Sequence, residues 1–399
     1  MRFLTRLHVC TAAVLLMILY FSWLRPSTVY LRDNPQRVWK NSPRRIVVFG
    51  DDWSDTGEYR IASPPKRSTR DRNGAQGNVW VETLCKELTC DFVDNFARSV
   101  PENVGLEAVG SMVDSSILLD ATSYARNDTI AVFDFKTQVQ QFIEFDKKKW
   151  RLPGRDDTDN EQTIFTVFFG TWELLQFSAL DKDGAVRAID RSVKELVHNL
   201  DLLADHVDNP KVTVPNLLDV TFLPRYSRRK YESATEFAQK QHKSVFLSTY
   251  WNAALSQTAS EWDRGVLFMP NVHDIVVEEV RANQMYSRQI VDSKGNGKQE
   301  PLFQEVEEPC FVQETDANTG NLQAAARTCT DPGAHLFWDD IHLSGPAYEL
   351  IGKEAARLVR GNEAVNNDAR QRAKLRSATD EKNEVPKGTG FDLKFPPGY

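Results

Sequence analysis

Carboxylates and hydroxyls follow the first apolar segment of the chain. The run over residues 46–49 ends at a glycine, after which come four polar residues, Asp51, Asp52, Ser54 and Asp55. Apolar runs that end in turn residues are typical of buried parallel strands. Ligands of open α/β sheets bind beyond the carboxyl ends of such strands. We therefore expect these side chains at the mouth of a functional site, with a solvated polar loop as the alternative.

A second candidate group is an aspartate three residues before a histidine, Asp339 and His342. Histidine is the side chain best suited to accept a proton near neutral pH, and a neighbouring carboxylate orients its ring and stabilises its charged form. Taken alone, this spacing is equally typical of a surface histidine beside a structural aspartate. Together with an acidic turn at a strand end, the pair favours acid–base chemistry.

Alternating strand-like and helix-like segments must position both groups. The strand-like segments are short and apolar, and they span residues 46–49, 92–97, 163–169, 212–222 and 266–271. The clearest helical periodicity covers residues 185–205, where apolar residues recur at three- and four-residue spacing. Five strands separated by helices predict a parallel sheet covered on both faces, which is a three-layer α/β/α sandwich.

The composition is that of a folded protein with no bias toward nucleic acid. Of the 399 residues, 41% are apolar and 26% are charged, which is ordinary for a globular protein. The net charge of −7 and the lack of a basic stripe argue against a phosphate-backbone partner. Histidines elsewhere in the chain show no paired spacing with cysteines or acids, so we predict no metal site and no cofactor.

The N-terminal region is typical of a targeting segment. Arg2 and Arg6 precede an apolar run over residues 9–24, which is long for a signal-peptide core and short for an average membrane helix. We favour an uncleaved signal anchor within residues 1–30, because no small-residue cleavage site follows the run. The positive-inside tendency then predicts a single-pass type II membrane protein of the secretory pathway, with a secreted protein as the alternative.

The rest of the chain is expected to form one domain. We predict a polar spacer over residues 31–43, a folded domain over residues 44–360 and a disordered tail over residues 361–399, which are low in apolar side chains. No linker interrupts the alternation of segments, so the length alone does not argue for a second domain. The oligomeric state is left open.

The cysteine pattern suits the secretory pathway. One of the five cysteines lies in the apolar run, and the others are Cys85, Cys90, Cys310 and Cys329. An even number in a luminal domain favours two disulfides, for which several pairings are possible. We prefer the local pairs, Cys85 with Cys90 and Cys310 with Cys329, over other pairings and over free thiols. Asn127 begins a glycosylation sequon.

Both candidate groups lie in blocks that resemble those of a known enzyme family. Residues 50–57, Gly-Asp-Asp-Trp-Ser-Asp-Thr-Gly, are similar to the Gly-Asp-Ser-x-Ser-Asp-x-Gly opening block of the GDSL, or SGNH, hydrolases. Residues 329–342 are similar to their closing block with its Asp-x-x-His. The blocks are most like those of the family 16 carbohydrate esterases and related GDSL lipase-like proteins. The resemblance implies a flavodoxin-like sandwich and hydrolysis of ester bonds, in an acylated carbohydrate or a lipid.

The resemblance assigns Asp339 and His342 as the acid and the base, but it places Asp52 where the family has its nucleophilic serine. Loss of that serine has the greatest consequence, because removing a triad nucleophile lowers turnover by about 10⁶-fold. We therefore do not expect a serine acyl-enzyme. Ser54 lies two residues along the turn, and we favour for it a turn-stabilising hydrogen bond to the backbone.

The positions that would hold the oxyanion also depart from the family pattern. Trp172 stands at an asparagine whose amide donates to the oxyanion, a loss worth about 10²–10³ in turnover, although an indole N–H can also donate. The family has a glycine in its second conserved block whose backbone N–H also donates to the oxyanion. Val100, or Ser99 before it, stands at that position, and any residue but proline keeps this backbone donor. Gly170 opens the Gly-Thr-Trp-Glu block, and Glu173, its acidic position, is expected to brace the site loop.

Three functions fit these residues. In the first, the protein is a hydrolase of small-molecule or glycan esters, in which Asp52 and His342 activate water or Asp52 attacks directly. In the second, it is a pseudoenzyme that binds a glycan or acylated ligand, with Asp52 and His342 as a buried ion pair. The third is a membrane-anchored acyltransferase. The hydrolase is our primary prediction and the pseudoenzyme the alternative. An open acidic cleft favours the hydrolase, and Trp172 packed over Asp52 favours the pseudoenzyme.

Overall fold

The structure is a computed structural model, which describes residues 45–59, 74–99, 110–121, 134–149, 163–226, 233–293, 295–313 and 326–373. All of them belong to one compact unit of the chain, Pro43–Tyr399. The predicted anchor over residues 9–24, the spacer, Val100 and Asn127 lie outside the described residues. Within these ranges, no helix has the length and hydropathy needed to cross a membrane.

Five parallel strands form the central sheet. They are β1 (Arg45–Gly50), β2 (Phe92–Asn95), β3 (Thr163–Phe168), β4 (Lys211–Thr213) and β5 (Val266–Phe268). Their order is β2-β1-β3-β4-β5, and each neighbouring pair is parallel. This flavodoxin-like order reverses direction between β1 and β3, where doubly wound sheets bind their ligands. The predicted five-stranded parallel sheet is confirmed.

Two groups of helices cover the sheet. The helices are α1 (Trp80–Leu88), α2 (Ser115–Ala121), α3 (Phe135–Lys149), α4 (Thr171–Phe177), α5 (Lys182–His206), α6 (Ala234–Glu261), α7 (Val272–Ser287) and α8 (Gly345–Gly361). Helix α8 contacts α1 and α7, and helix α5 contacts α3 and α6. Strand β1 contacts both α1 and α3. The sheet is therefore the middle layer of an α/β/α sandwich.

Side chains of β3 show how both faces of the sheet are buried. Phe165 stacks on Phe49 at 6.4 Å and meets Phe142 of α3 at 5.4 Å between ring centroids. Phe168 meets Trp80 of α1 at 6.1 Å. Odd- and even-numbered residues of a strand point to opposite faces. Strand β3 therefore contributes to both layers of the core, which is why apolar residues occupy both odd and even positions of its sequence.

The fourth strand is shorter than predicted. The apolar segment over residues 212–222 contains strand β4 only to Thr213, followed by irregular chain and a 3-10 turn over Val220–Phe222. Pro215 has no N–H with which to continue a strand ladder. Hydropathy alone did not reveal this end, because the residues after Thr213 stay buried although they leave the sheet.

Two disulfides and a small hairpin lie outside the main sheet. The predicted local pairs, Cys85–Cys90 and Cys310–Cys329, are both formed. Residues beside the second disulfide form an antiparallel pair, β6 (Phe311–Gln313) with β7 (Ala326–Thr328), which is not among the predicted strands. Two disulfides indicate folding in an oxidising compartment.

The packed chain extends past the predicted domain boundary at residue 360. Asn366 is fully buried. Its Oδ1 accepts from the Leu267 backbone N–H at 3.1 Å, and its Nδ2 donates to the carbonyls of Trp262 and Gly265 at 2.6 and 2.9 Å. The first residues of the predicted tail therefore belong to the folded domain. Their low hydropathy concealed this, because a single polar side chain makes these bonds.

Candidate active site

The turn after β1 carries Asp52 to the end of the sheet. The Asp51 carbonyl accepts from the N–H groups of Ser54 and Asp55 at 3.1 Å each, and Asp51 Oδ1 accepts from the Trp53 N–H at 3.0 Å. Gly50 is required before the turn, because a Cβ at that position would lie 2.9 Å from Ser54 Cβ. The turn is thus closed by bonds within itself, to the carbonyl and the carboxylate of Asp51.

The second part of the site is the loop before α8. Asp339 Oδ1 accepts from the N–H groups of Ile341 and His342 at 2.9 and 2.6 Å, and the Trp338 N–H donates to the His342 carbonyl at 2.8 Å. Strand β6 braces this loop from outside. The Phe311 N–H donates to the Trp338 carbonyl at 2.6 Å, and the two rings stack at 5.6 Å.

Asp52, His342 and Asp339 form a continuous hydrogen-bonded chain. His342 Nε2 lies 2.9 Å from Asp52 Oδ2, and His342 Nδ1 lies 2.7 Å from Asp339 Oδ2. Asp52 and His342 are 5% and 8% exposed, so bulk water is largely excluded. A carboxylate at each ring nitrogen favours the doubly protonated imidazole, because both nitrogens can then donate.

The charge of Asp339 is fixed by its surroundings. Burial by itself would raise the pKa of this carboxyl, but the positive charge and hydrogen bond of His342 and the N–H group of Ile341 outweigh it. Together they hold the pKa of Asp339 well below its usual range. Asp339 therefore remains ionised at neutral pH and keeps the imidazole oriented.

Trp172 completes the surroundings of Asp52. Its indole Nε1 donates to Asp52 Oδ1 at 2.9 Å, and the residue is 8% exposed. It lies in the first turn of α4, after Gly170, whose φ of +123° and contacts to Leu217 and Trp251 exclude a side chain. Trp172, at the family's asparagine position, thus has a side-chain N–H, but it donates to the Asp52 carboxylate.

Asp55 has a structural role in the turn. Its Oδ1 accepts from Asn95 Nδ2 at 2.7 Å, and its Oδ2 accepts from the Ser99 N–H at 2.8 Å, the Ser99 Oγ at 2.6 Å and the Tyr59 hydroxyl at 2.7 Å. These bonds connect the turn to the end of β2. The expectation that Asp55 stands at the site mouth is wrong, because its carboxylate is buried and occupied by donors.

Ser54 also faces the protein interior. Its Oγ accepts from Trp80 Nε1 of α1 at 3.0 Å, and the residue is fully buried. The predicted stabilising bond is therefore made to an indole and not to the backbone. A hydroxyl fixed between the turn and α1 is poorly placed to replace the missing nucleophile.

Two more carboxyls are buried behind Asp52. Glu173 is fully buried, its Oε1 accepts from the Val113 N–H at 2.6 Å, and burial raises its pKa to about 7. Burial, with the nearby charge of Asp52, also raises the pKa of Asp51 well above its usual value. Even so, no three His, Cys, Asp or Glu side chains in the described part of the chain are grouped to hold a metal ion.

Two contributors to the site were not among the predicted site residues. Gln138 of α3 donates from Nε2 to the Gly50 carbonyl and accepts at Oε1 from the Gly50 N–H, both at 2.9 Å, which fixes the end of β1. Gly110 lies directly against the Trp172 indole. Each acts on a residue distant in the sequence, so its role could not be inferred from the residues around it.

Residues 46–355 match the family model described as GDSL-like Lipase/Acylhydrolase. The match spans the turn with Asp52 and the loop with Asp339 and His342, and it confirms the resemblance drawn from those two blocks. Among solved structures, the chain is similar to Est24, a carbohydrate acetylesterase from Sinorhizobium meliloti, at 12% identity over 80% of this chain and 99% of that one, with a TM-score of 0.34. A comparison with curated proteins gives no match.

Proposed function

The chain belongs to the GDSL-like lipase/acylhydrolase family, and we propose that it hydrolyses carboxylic esters with Asp52, His342 and Asp339 as its reacting centre. The observation that carries the proposal is the 2.9 Å contact between His342 Nε2 and Asp52 Oδ2. Two acid–base groups in direct contact can exchange a proton, which is what hydrolysis without a covalent intermediate requires. The two disulfides suit the secretory pathway, where we place this activity.

The first chemical step uses the charges of the resting site. The Asp52 carboxylate takes a proton from a water molecule while the water oxygen attacks the acyl carbon of the ester. The His342 imidazolium gives its Nε2 proton to the alkoxide that leaves. The products are the carboxylic acid and the alcohol, and the centre is left with a protonated Asp52 and a neutral His342.

A proton transfer between the two side chains restores the centre. The proton gained by Asp52 passes to His342 Nε2 across their 2.9 Å contact. Ionised Asp339, 2.7 Å from Nδ1, stabilises the imidazolium that forms again. We favour water activation over direct attack by Asp52. Each oxygen of the Asp52 carboxylate accepts a hydrogen bond and still has a lone pair that can take a proton from water. For direct attack, the attacking oxygen would first have to lose its hydrogen-bond donor.

Esterase assays of substituted proteins test this function. We expect the purified protein to hydrolyse short-chain acyl esters or acetylated xylan-type oligomers, and Asp52→Ala and His342→Ala each to lower kcat at least about 100-fold, as loss of a general acid or base does. Asp340→Asn is the matched control, since this neighbouring carboxylate faces Arg225 at the surface. Equal rates for the wild type and Asp52→Ala would remove Asp52 from the mechanism.

A second function, binding without turnover, is favoured by the contact between Trp172 and Asp52. The indole donates to Oδ1 at 2.9 Å while His342 contacts Oδ2, so both carboxylate oxygens are occupied. In this case the wild type has no esterase activity, and Asp52→Ser, which restores the family's nucleophile, gains it. Activity in the wild type that Asp52→Ala abolishes would exclude the binding function as the sole role.

A further inference from the structure

We propose that Gly110 and Glu173 are positioning residues that hold the Trp172 indole against Asp52 and thereby set the orientation of the carboxylate that faces His342. The proposal deepens the proposed hydrolysis, because it rests on Asp52 being the reacting group. It assigns a role to the segment over residues 110–113, which lies outside the blocks that resemble those of the family.

The first contact is between Gly110 and the edge of the indole. A Cβ at position 110 would lie 2.1 Å from Trp172 Nε1 and 2.4 Å from Cδ1. Atoms in packed protein interiors do not approach so closely, and a ring in such a core has little room to shift. Glycine at position 110 therefore leaves space for the ring where it lies, with Nε1 2.9 Å from Asp52 Oδ1.

The second contact ties the same segment to helix α4. The Val113 N–H donates to Glu173 Oε1 at 2.6 Å, and Glu173 is fully buried. Glu173 follows Trp172 directly, so the segment touches one residue of α4 through Gly110 and is bonded to the next through Val113. The Met112 carbonyl accepts from the Phe135 N–H of α3 at 3.1 Å, which gives the segment a second support.

These contacts constrain the carboxylate from the side opposite His342. Nε1 of Trp172 donates to Oδ1 of Asp52 at 2.9 Å, while Oδ2 lies 2.9 Å from His342 Nε2. The terminal torsion of an aspartate is broad, so a carboxylate without the indole donor can rotate. Small displacements of a reacting group lower turnover by up to about 100-fold. A displaced indole is thus expected to lower kcat more than it changes KM.

The indole N–H resonance of Trp172 gives a readout independent of activity. In the full-length protein with ¹⁵N-labelled tryptophan, Trp172→Phe identifies the resonance and Asp52→Ala gives its position without the acceptor. We expect Gly110→Ala to move the resonance toward that position and to lower kcat about 10- to 100-fold at similar KM. Gly74→Ala is the matched control, since that exposed glycine has open space around it, and it should change neither readout.

Substitutions of Glu173 provide the second arm. Glu173→Gln keeps an oxygen to accept the Val113 N–H and should leave the Trp172 resonance near its wild-type position, whereas Glu173→Ala should shift it as Gly110→Ala does. If Gly110→Ala does not fold, the Trp172 resonance is compared between Glu173→Gln and Glu173→Ala instead. An unchanged resonance in Gly110→Ala and in Glu173→Ala would overturn the positioning role, even with reduced turnover. Lack of esterase activity in the wild type would instead refute the hydrolysis, while the resonance still decides the positioning.

Discussion

At the scale of single residues, the carboxylate at position 52 changes what the neighbouring histidine can do. In a triad with a serine, the histidine begins the reaction neutral and acts as a base. Here His342 lies between Asp52 and Asp339, at 2.9 and 2.7 Å, so the charged ring is stabilised from both sides. An imidazolium is a proton donor. In the proposed hydrolysis the acid and base roles are therefore exchanged, so that Asp52 would take the proton of water and His342 would supply the proton of the leaving group.

Glu173 should make the folded state less stable as the pH rises. Its pKa is raised from 4.5 to about 7 by burial, so the folded protein holds a proton that the unfolded chain has released. Stability is therefore greatest below the unfolded value and falls as the pH passes from about 5 to about 8, by about 3 kcal/mol for such a shift. Urea unfolding across this range should show the fall in the wild type and a smaller fall in Glu173→Gln, in which buried Asp51, whose pKa is also raised, still contributes.

A matched surface substitution separates this effect from a general loss of negative charge. Glu261→Gln removes an exposed carboxylate at the end of α6, and its unfolding profile should follow that of the wild type. A wild-type stability that rises between about pH 5 and about pH 8 in step with Glu173→Gln would contradict a buried carboxyl that ionises near neutrality.

At the scale of elements, the hairpin β6–β7 supports the loop that carries the acid and the histidine. Cys310 and Phe311 donate backbone hydrogen bonds to the carbonyls of Phe337 and Trp338 at 3.1 and 2.6 Å. The disulfide Cys310–Cys329 closes the base of the hairpin. The loop before α8 is short and irregular, so it depends on these external bonds for its shape. The hairpin is thus part of the support of the site, although it adds nothing to the main sheet.

Removing the disulfide at the hairpin should affect the site more than removing the other one. Replacing Cys310 and Cys329 by serine opens a link between residues 19 apart and should cost about 3 kcal/mol in stability, against about 2 for Cys85 and Cys90, which are 5 apart. We expect esterase turnover to fall about tenfold or more only in the first variant, because a misplaced reacting group is costly. Thermal unfolding and initial rates measure the two effects, and equal rates in both variants would show that the hairpin does not support the loop.

At the scale of the whole molecule, the open sheet is secured at its β5 edge by residues beyond the last long helix. Asn366 bonds three backbone groups around β5, at Leu267, Trp262 and Gly265. Val365 adds a further backbone bond, from its N–H to the Leu267 carbonyl at 2.9 Å. Edge strands have unpaired backbone groups that must be covered or bonded. The chain after α8 provides this cover.

Loss of the Asn366 side chain should therefore weaken the whole domain. Asn366→Ala leaves buried backbone groups without partners, at about 1–3 kcal/mol for each such group, so we expect a total loss of about 3 kcal/mol or more. The adjacent Asn367→Ala is the matched control, because that side chain is exposed. Guanidinium unfolding followed by circular dichroism measures both, and similar midpoints for the two variants would mean that the β5 edge is held in another way.

The sequence by itself determined the sheet and the three residues that meet at the candidate site. Apolar runs ended by glycines located β1 and β3, since burial on both faces leaves a continuous local pattern. The two blocks at residues 50–57 and 329–342 identified Asp52, Asp339 and His342 as one group, which the structure brings into contact. The even number of luminal cysteines favoured two disulfides, and the preferred local pairs are the ones formed.

Only the tertiary structure decided how those groups are held. That the Trp172 N–H reaches Asp52, that Gly110 leaves room for the ring and that Asn366 bonds the β5 edge are contacts between residues far apart in the chain. Hydropathy and spacing describe a residue and its neighbours, whereas these contacts depend on where separate elements come to pack. The burial of Asp55 and Ser54 was hidden for the same reason, because the residues that enclose them come from β2 and α1.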